Sequence, residues 1–517
     1  MVKLFDFALT PRIGGTEGLY YRKNENSVLL NSYFNTIPVR KIRQYTSITN
    51  IQFSEQADIY TELGFLKSGS AVNLQEVPEQ AELLYLQMKD VPAQLFTEAD
   101  GVYRDVFPAI IICTYHRCEQ VISNIDYILE HFNDIPYGII LVDNASEIPT
   151  DRWDDNRVTV LHNQNNGGSG GFSIGMQYAS KQGKYTHILL MDDDVTVDSV
   201  ALQKLFSFLS FIKDEYADIC VSGSMLYADD PTIQFECGGY FEENGLQTGY
   251  GYQYDLIDFQ KLLDNEHDHP INYGGWWMFC MPIRYATEGK LPAPFFIKYD
   301  DVEYALRCKL KIITLNGVGV WHENFGSKYN SVQEYFNTRN YLFLMKRCNH
   351  HFDDRLAKKK VRHLLLEKLC RQQYQMAEAV LKAYEDFLKG EPYLDQVNYD
   401  TKLSELGKLD YEMLPMEEIT QRYGICFDYE LYLSSFNKRF QRYMQPLLYG
   451  HLIPKIFCKK FTITDVLADR KENYFRAKKA LHYDIYKQRG YITFKSLLIF
   501  LKLFIRLQRT RGEKDRI

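Results

Sequence analysis

Cysteine is sparse and never closely paired: ten residues in 517, with no CxxC among them. A zinc ribbon is thereby excluded, and a disulfide framework is not expected in a chain of this length. The thiols are expected to be reduced and the compartment cytosolic. Long apolar runs are missing as well. The nearest candidate for a membrane span, Tyr491–Leu507, is interrupted by Lys495, Lys502 and Arg506, so a soluble or peripheral protein is expected. The first residues, Met-Val-Lys-Leu-Phe-Asp-Phe, lack the basic region and apolar core of a secretory signal. Neither GxxxxGK[ST] nor GxGxxG occurs, which counts against a P-loop and a dinucleotide fingerprint. Positive charge is not in excess, and a net charge of -7 argues against a general nucleic-acid binder. Only four Trp are present, against 39 Tyr and 32 Phe.

What is present centres on Tyr185-Thr-His-Ile-Leu-Leu-Met-Asp192-Asp193-Asp194-Val195. An apolar run of this length reads as a buried strand. Three adjacent carboxylates at its end repel one another, so folding alone does not select them. Alternation along an extended chain points Asp192 and Asp194 one way and Asp193 the other. Two nearby carboxylates suit a hard cation with oxygen ligands, Mn²⁺ or Mg²⁺. A solvated acidic loop is the bland alternative, and on this motif alone the two are evenly matched.

Three regions are expected. Residues 1–105 carry short runs of Tyr, Thr, Val, Ile and Phe, such as Ser27-Val-Leu-Leu-Asn and Ala57-Asp-Ile-Tyr-Thr-Glu-Leu-Gly-Phe. Several alternate with period two, predicting antiparallel strands and a small β-sandwich. Residues 106–345 switch to continuous apolar strands alternating with helical patterns, predicting a parallel α/β sheet. Ligands bind such sheets at the carboxyl ends of the strands. Four polar clusters fall there: Thr114/Arg117, Asp143/Asn144, the glycine-rich Asn165–Gly171 and Asp192–Asp194. The glycine stretch reads as a ligand-facing loop before a helix from Ser173 to Lys181. Further along lie Glu236 in a strand-turn, the pair Trp276-Trp277, and Asp300-Asp301-Val-Glu303 at a predicted helix N-terminus. His322 then ends a strand running from Lys311. Residues 346–517 are expected to be helical with a basic amphipathic tail. Residues 471–517 hold 13 Lys/Arg against 4 Asp/Glu, a local charge of +9, which suits an anionic membrane surface.

Taken in order, Cys113-Thr114-Tyr-His-Arg117, Asp143-Asn144, Asn166-Gly-Gly, Asp192–Asp194, Trp276-Trp277, Asp300-Asp301-Val-Glu303 and Trp321-His322 resemble a family 2 glycosyltransferase of GT-A (Rossmann-like) fold. More narrowly, the chain is similar to bacterial galactofuranosyltransferases of the mycobacterial galactan-polymerase type. Asn31-Ser-Tyr-Phe-Asn-Thr-Ile-Pro38 and Ser331-Val-Gln-Glu-Tyr-Phe-Asn-Thr-Arg339-Asn340-Tyr add to that likeness, which covers roughly residues 20–345.

The resemblance implies an inverting, metal-dependent transfer of galactofuranose from a UDP-sugar to a glycan acceptor, lipid-linked at the inner face of the cytoplasmic membrane. By the same resemblance Thr114, Arg117 and Asp143 hold the uridine. Asn166, Gly167, Gly168, Asp193 and Arg339 complete the donor contacts, and Asp192, Asp194 and His322 take Mn²⁺ or Mg²⁺. Asp301 is the general base, Glu236, Asp300 and Trp277 position sugars, and Trp276 lines the acceptor site. The family pattern places a His near Asn337-Thr338 that this sequence lacks, which leaves Arg339 as the implied substitute. The likeness also implies assembly with further copies. Rival readings are rhamnosyl, glucosyl or galactopyranosyl transfer on the same fold, a non-catalytic glycan-binding relative, and a nucleotidyltransferase.

Overall fold

A computed structural model describes residues 1–287, 290–323, 330–370, 374–409, 412–414, 475–477, 501–503 and 505–507. Packing divides them into two units, one of residues 1–296 with 300–323, the other of 297–299 with the described residues after 323.

The first unit begins with an antiparallel sheet of β1 (Val2–Asp6), β2 (Arg22–Asn24), β3 (Ser27–Leu29), β4 (Asn50–Thr61), β5 (Gly64–Asn73), β6 (Leu84–Met88) and β7 (Phe96–Asp100). A short helix α1 (Val39–Tyr45) precedes β4. The expected sandwich takes the form of one sheet that divides along β4. Residues 50–53 of β4 pair with β7 and residues 58–61 pair with β6, while β5 follows the other edge throughout. Its register shifts between Gln52 and Ala57, and such irregularities bend a strand and let its ends serve different neighbours. The run Ala57–Phe65, read above as one strand, crosses the turn between β4 and β5.

The second sheet contains β8 (Pro108–Thr114), β9 (Gly138–Asp143), β10 (Val158–His162), β11 (His187–Asp192), β12 (Val195–Val197), β13 (Ile219–Tyr227), β14 (Gln234–Glu236), β17 (Met278–Pro282) and β18 (Lys311–His322). The hairpin β15 (Gly239–Phe241) and β16 (Gln247–Gly249) stands apart from it. The order is β10-β9-β8-β11-β17-β13-β18-β12, with β14 on β13. Strands β8 to β11 are mutually parallel, as expected from their continuous apolar runs. Only β17, β12 and β14 oppose that direction, so Thr114, Asp143, Asp192 and His322 all end strands on one edge.

Helices α2 (Cys118–His131), α3 (Gly167–Gln182), α4 (Ser199–Ser210), α5 (Phe259–Glu266) and α6 (Asp300–Cys308) join these strands. Asp198 and Asp258 cap α4 and α5 through Val200 and Gln260 amides. The glycine stretch, expected as a loop, is instead the first turns of α3. A Cβ at Gly171 would lie 2.1 Å from Cys113 Sγ, and one at Gly175 2.3 Å from Ile111 Cγ2. Glycine therefore serves here to lay a helix close on β8, and that need is not visible in composition.

In the second unit α7 (Ser331–Cys348), α8 (Asp354–Cys370), α9 (Tyr374–Phe387), α10 (Pro392–Gln396) and α11 (Tyr399–Gly407) bear out the helical reading. Of the expected basic tail, most lies outside the described residues. Within it, Arg506 pairs with Glu378 and with Glu385 at 2.7 Å, and Leu503 and Leu507 are buried. Among the described residues no helix is long and apolar enough to cross a membrane.

Candidate active site

The three aspartates divide, with Asp192 ending β11 and Asp193 and Asp194 in the turn that follows. Asp193 turns inward, where its Oδ2 accepts from the Thr114 hydroxyl at 2.7 Å and its Oδ1 meets Arg117 Nη1 at 2.7 Å. Asp194 also pairs with Arg117, at 3.0 Å. Asn124 of α2 donates to the carbonyls of Asp193 and Val195 at 3.2 and 2.7 Å, fastening the turn. The sequence reading passed over Asn124, since a polar residue on a helix carries no signal of its own.

Asp192 and Asp194 converge on His322. Its Nε2 lies 2.9 Å from Asp194 Oδ1 and 4.0 Å from Asp192 Oδ2. One ligand atom from each residue lies within 4.8 Å of the other two. Two strand pairings place the imidazole, because His322 opposes Val195 on β12 and Tyr227 on β13. Its Nδ1 faces the Glu323 carbonyl, so in the neutral ring the proton sits on Nδ1 and the Nε2 lone pair faces a carboxylate oxygen. Lone pair against lone pair requires a proton or a cation between them.

A divalent ion fits this group. Octahedral ligands at ~2.1 Å stand ~3 Å apart along an edge and ~4 Å across the ion, as the two separations from His322 do. Charge agrees: burial, then Asp194 and Asp193, push the Asp192 carboxyl up to about 7, against the opposing pull of His322.

A second carboxyl group stands beside the first. Asp300 and Asp301 open α6, where the helix dipole favours negative charge. Burial, then the charges of Asp301 and Asp192, push Asp300 up to about 8. Asp301 accepts from the Val302 amide at 2.8 Å. Glu236 is 7% exposed, and burial together with Asp301 pushes it up to about 8. Before Asp300 the backbone is left-handed at Phe296 (φ 72°), Lys298 (69°) and Tyr299 (65°). Such conformations are costly away from glycine and gather at functional sites.

The other expected residues are placed as follows. Asp143, read as a uridine contact, accepts four backbone amides, those of Ala145, Ser146, Glu147 and Ile148, at 2.7–3.0 Å. Its carboxylate is a strut for the loop after β9. Asn166 is the N-cap residue of α3, Gly167 is left-handed (φ 69°), and a Cβ there would lie 2.3 Å from the Phe296 carbonyl. Gly168 follows in the same first turn. Trp276 is 6% exposed, edge-on to Phe172 and Tyr304; Trp277 is 7% exposed and donates to the Gly223 carbonyl at 2.9 Å. Both rings are core, with little face left for a sugar, in the turn that leads into β17. Arg339 belongs to the second unit, fully buried, where its Nε donates to Asn340 and its guanidinium lies over Tyr335 and Phe336.

Residues 109–280 match the model of glycosyl transferase family 2. The galactofuranosyltransferase GlfT2 of Mycolicibacterium smegmatis is 32% identical over 251 residues, covering 44% of this chain and 38% of that protein. GlfT2 of Mycobacterium tuberculosis is 29% identical over 260 residues, covering 46% and 40%. The match thus takes in less than half the length of either relative. Solved structures with a low-scoring likeness include GalNAc-T7 with UDP, GalNAc and Mn²⁺ (TM-score 0.34, 15% identity, 48% of this chain and 49% of that one). Another is the mannosyltransferase PcManGT of Pyrobaculum calidifontis with GDP-Man and Mn²⁺ (TM-score 0.33, 10% identity, 69% and 89%). The family match begins on β8, runs through the three aspartates and closes on β17, so the chain carries a glycosyl transferase family 2 domain of GT-A fold.

Proposed function

We propose that the protein is an inverting, metal-dependent glycosyltransferase that moves galactofuranose from UDP-galactofuranose to a glycan acceptor, lipid-linked at the cytoplasmic face of a membrane. The observation that carries the reading is the convergence of Asp192, Asp194 and His322, with Asp300 and Asp301 at the start of α6 and Glu236 of β14 linked to them by charge. The likeness to GlfT2 supports the choice of sugar.

A bound Mn²⁺ or Mg²⁺ would neutralise charge developing on the departing diphosphate. Thr114 and Arg117 keep Asp193 turned inward, so that Asp192 and Asp194 stay aimed at the ligand position. Asp301, at the mouth of α6, takes the proton of the acceptor hydroxyl as that oxygen attacks the anomeric carbon. One displacement without a covalent intermediate inverts the configuration. Glu236 and Asp300, both raised by burial, hold protons at neutral pH and can donate hydrogen bonds to sugar oxygens.

The test is a donor screen with the purified chain, UDP-galactofuranose against UDP-galactopyranose, UDP-glucose and a rhamnose donor, with Mn²⁺ and with chelator. Transfer from UDP-galactofuranose alone supports the assignment; a preference for a pyranose donor refutes it.

A further inference from the structure

A fully buried line of polar side chains crosses the first unit and is unused by the proposed chemistry. It begins at Lys41 of α1, whose Nζ lies 2.8 Å from Glu266 Oε1 and donates to the Thr314 carbonyl at 2.8 Å. Glu266 Oε2 accepts the Asn316 amide at 2.8 Å. Asn316 Oδ1 accepts from Asn265 Nδ2 at 2.9 Å, and Asn265 Oδ1 accepts from Gln234 Nε2 at 2.7 Å. Gln234 opens β14, the three-residue strand that ends in Glu236. None of these side chains is more than 2% exposed before Glu236 itself.

The line is built rather than incidental. Asn265 donates to Asn316 and accepts from Gln234, so these side chains orient one another, while Glu266 reaches Asn316 through its backbone amide. Room is made for them by glycine. A Cβ at Gly251 would sit 2.0 Å from Gln234 Nε2 and 2.6 Å from Asn265 Oδ1, and one at Gly249 would sit 2.2 Å from Glu236 Oε2. Strand β14 has three residues. It pairs with β13 through an irregular register, and on its other side Gln234 exchanges backbone bonds with Tyr254 and Gln253. Gln234 and Glu236 stand two residues apart in a strand of three, with the register shift between them, so anchoring the Gln234 side chain limits where Glu236 can sit.

We propose that the line from Lys41 through Glu266, Asn316 and Asn265 to Gln234 is a positioning device that aims the Glu236 carboxyl at the acceptor beside Asp301, which makes the N-terminal region part of the transfer apparatus. The proposal rests on the glycosyltransferase reading above.

Two variants cut the line at different ends: Gln234→Leu with Asn265→Leu, and Lys41→Met with Glu266→Met. Removing both partners of a buried polar pair is tolerated far better than removing one, and circular dichroism checks that each variant folds. The expected result is an acceptor KM raised about tenfold or more, with UDP affinity and acceptor-free donor hydrolysis within about twofold of wild type. A merely structural role would lower all three together with the folded fraction. Infrared titration of the Glu236 carboxyl, identified with Glu236→Gln, gives a readout independent of transfer. Burial and Asp301 push this carboxyl up to about 8, and the titration should fall toward the ordinary carboxylate range once β14 is freed. If no sugar is transferred by the wild type, the functional reading fails and this titration alone decides the positioning. Folded variants with wild-type acceptor KM and an unchanged titration would overturn the proposal.

Discussion

Two carboxylate groups share one sheet edge and are built in opposite ways. Asp192, Asp193 and Asp194 are surrounded by cationic and donating partners: Arg117, Thr114 and His322. Glu236 and Asp300 are desolvated and feel mainly other carboxylates, Asp301 for both and Asp192 for Asp300. In the first group burial raises Asp192 to about 7 and raises Asp193 as well, while Arg117 and His322 pull the other way, an arrangement that gathers carboxylates around a cation. The second is driven to hold protons, a state suited to hydroxyl-rich ligands. The strand ends are the same; what differs is the neighbours each group was given.

The contrast can be broken from either side. The largest effect should come from Asp301→Asn, which lowers transfer by ~10²–10⁴-fold, the range of a general base. UDP affinity by calorimetry should stay unchanged, and near-normal turnover would remove Asp301 from the role. His322→Ala should weaken Mn²⁺ or Mg²⁺ binding by ~10–100-fold, in line with losses at other metal sites. Titration of UDP binding against metal concentration measures it, and an unshifted curve would dissolve the first group. Glu236→Gln probes the second group through stability. A carboxyl raised to about 8 in the folded chain stabilises it fully below the unfolded value of ~4.3, and that contribution is lost as pH rises through 8. The variant should therefore match wild type near pH 4 and exceed it by up to ~5 kcal/mol at pH 9. Urea melts at the two pH values check the sign. Smallest is Trp277→Phe, which removes the bond to Gly223 and should cost ~1 kcal/mol of stability. Acceptor KM should not move; a large rise would return Trp277 to the sugar site.

The sequence carried the first group well and the second unevenly. Asp192, Asp194 and His322 were legible because alternation and strand ends are local properties. Asp143, a carboxylate that accepts four turn amides, is written with the same residue as one that waits for a ligand. The Trp pair reads as a sugar platform, and nothing local in the sequence shows that both rings are buried. The glycines before Phe172 read as a loop because composition records permissiveness and not the closeness of Cys113. Lys41 and Glu266 were invisible for another reason: their pairing exists only once residues distant in the chain are packed together.

The left-handed residues ahead of Asp300 bear on how this protein responds to selection. Lys298 holds φ 69° with a side chain that disfavours it, at ~1 kcal/mol or more relative to glycine. Variants selected only for thermal endurance should accumulate glycine at 298. Variants selected for sugar transfer should resist it if the unfavourable backbone is what delivers the aspartates to their place. Sequencing the survivors of both regimes would tell whether that corner of the chain is an imperfection or a setting.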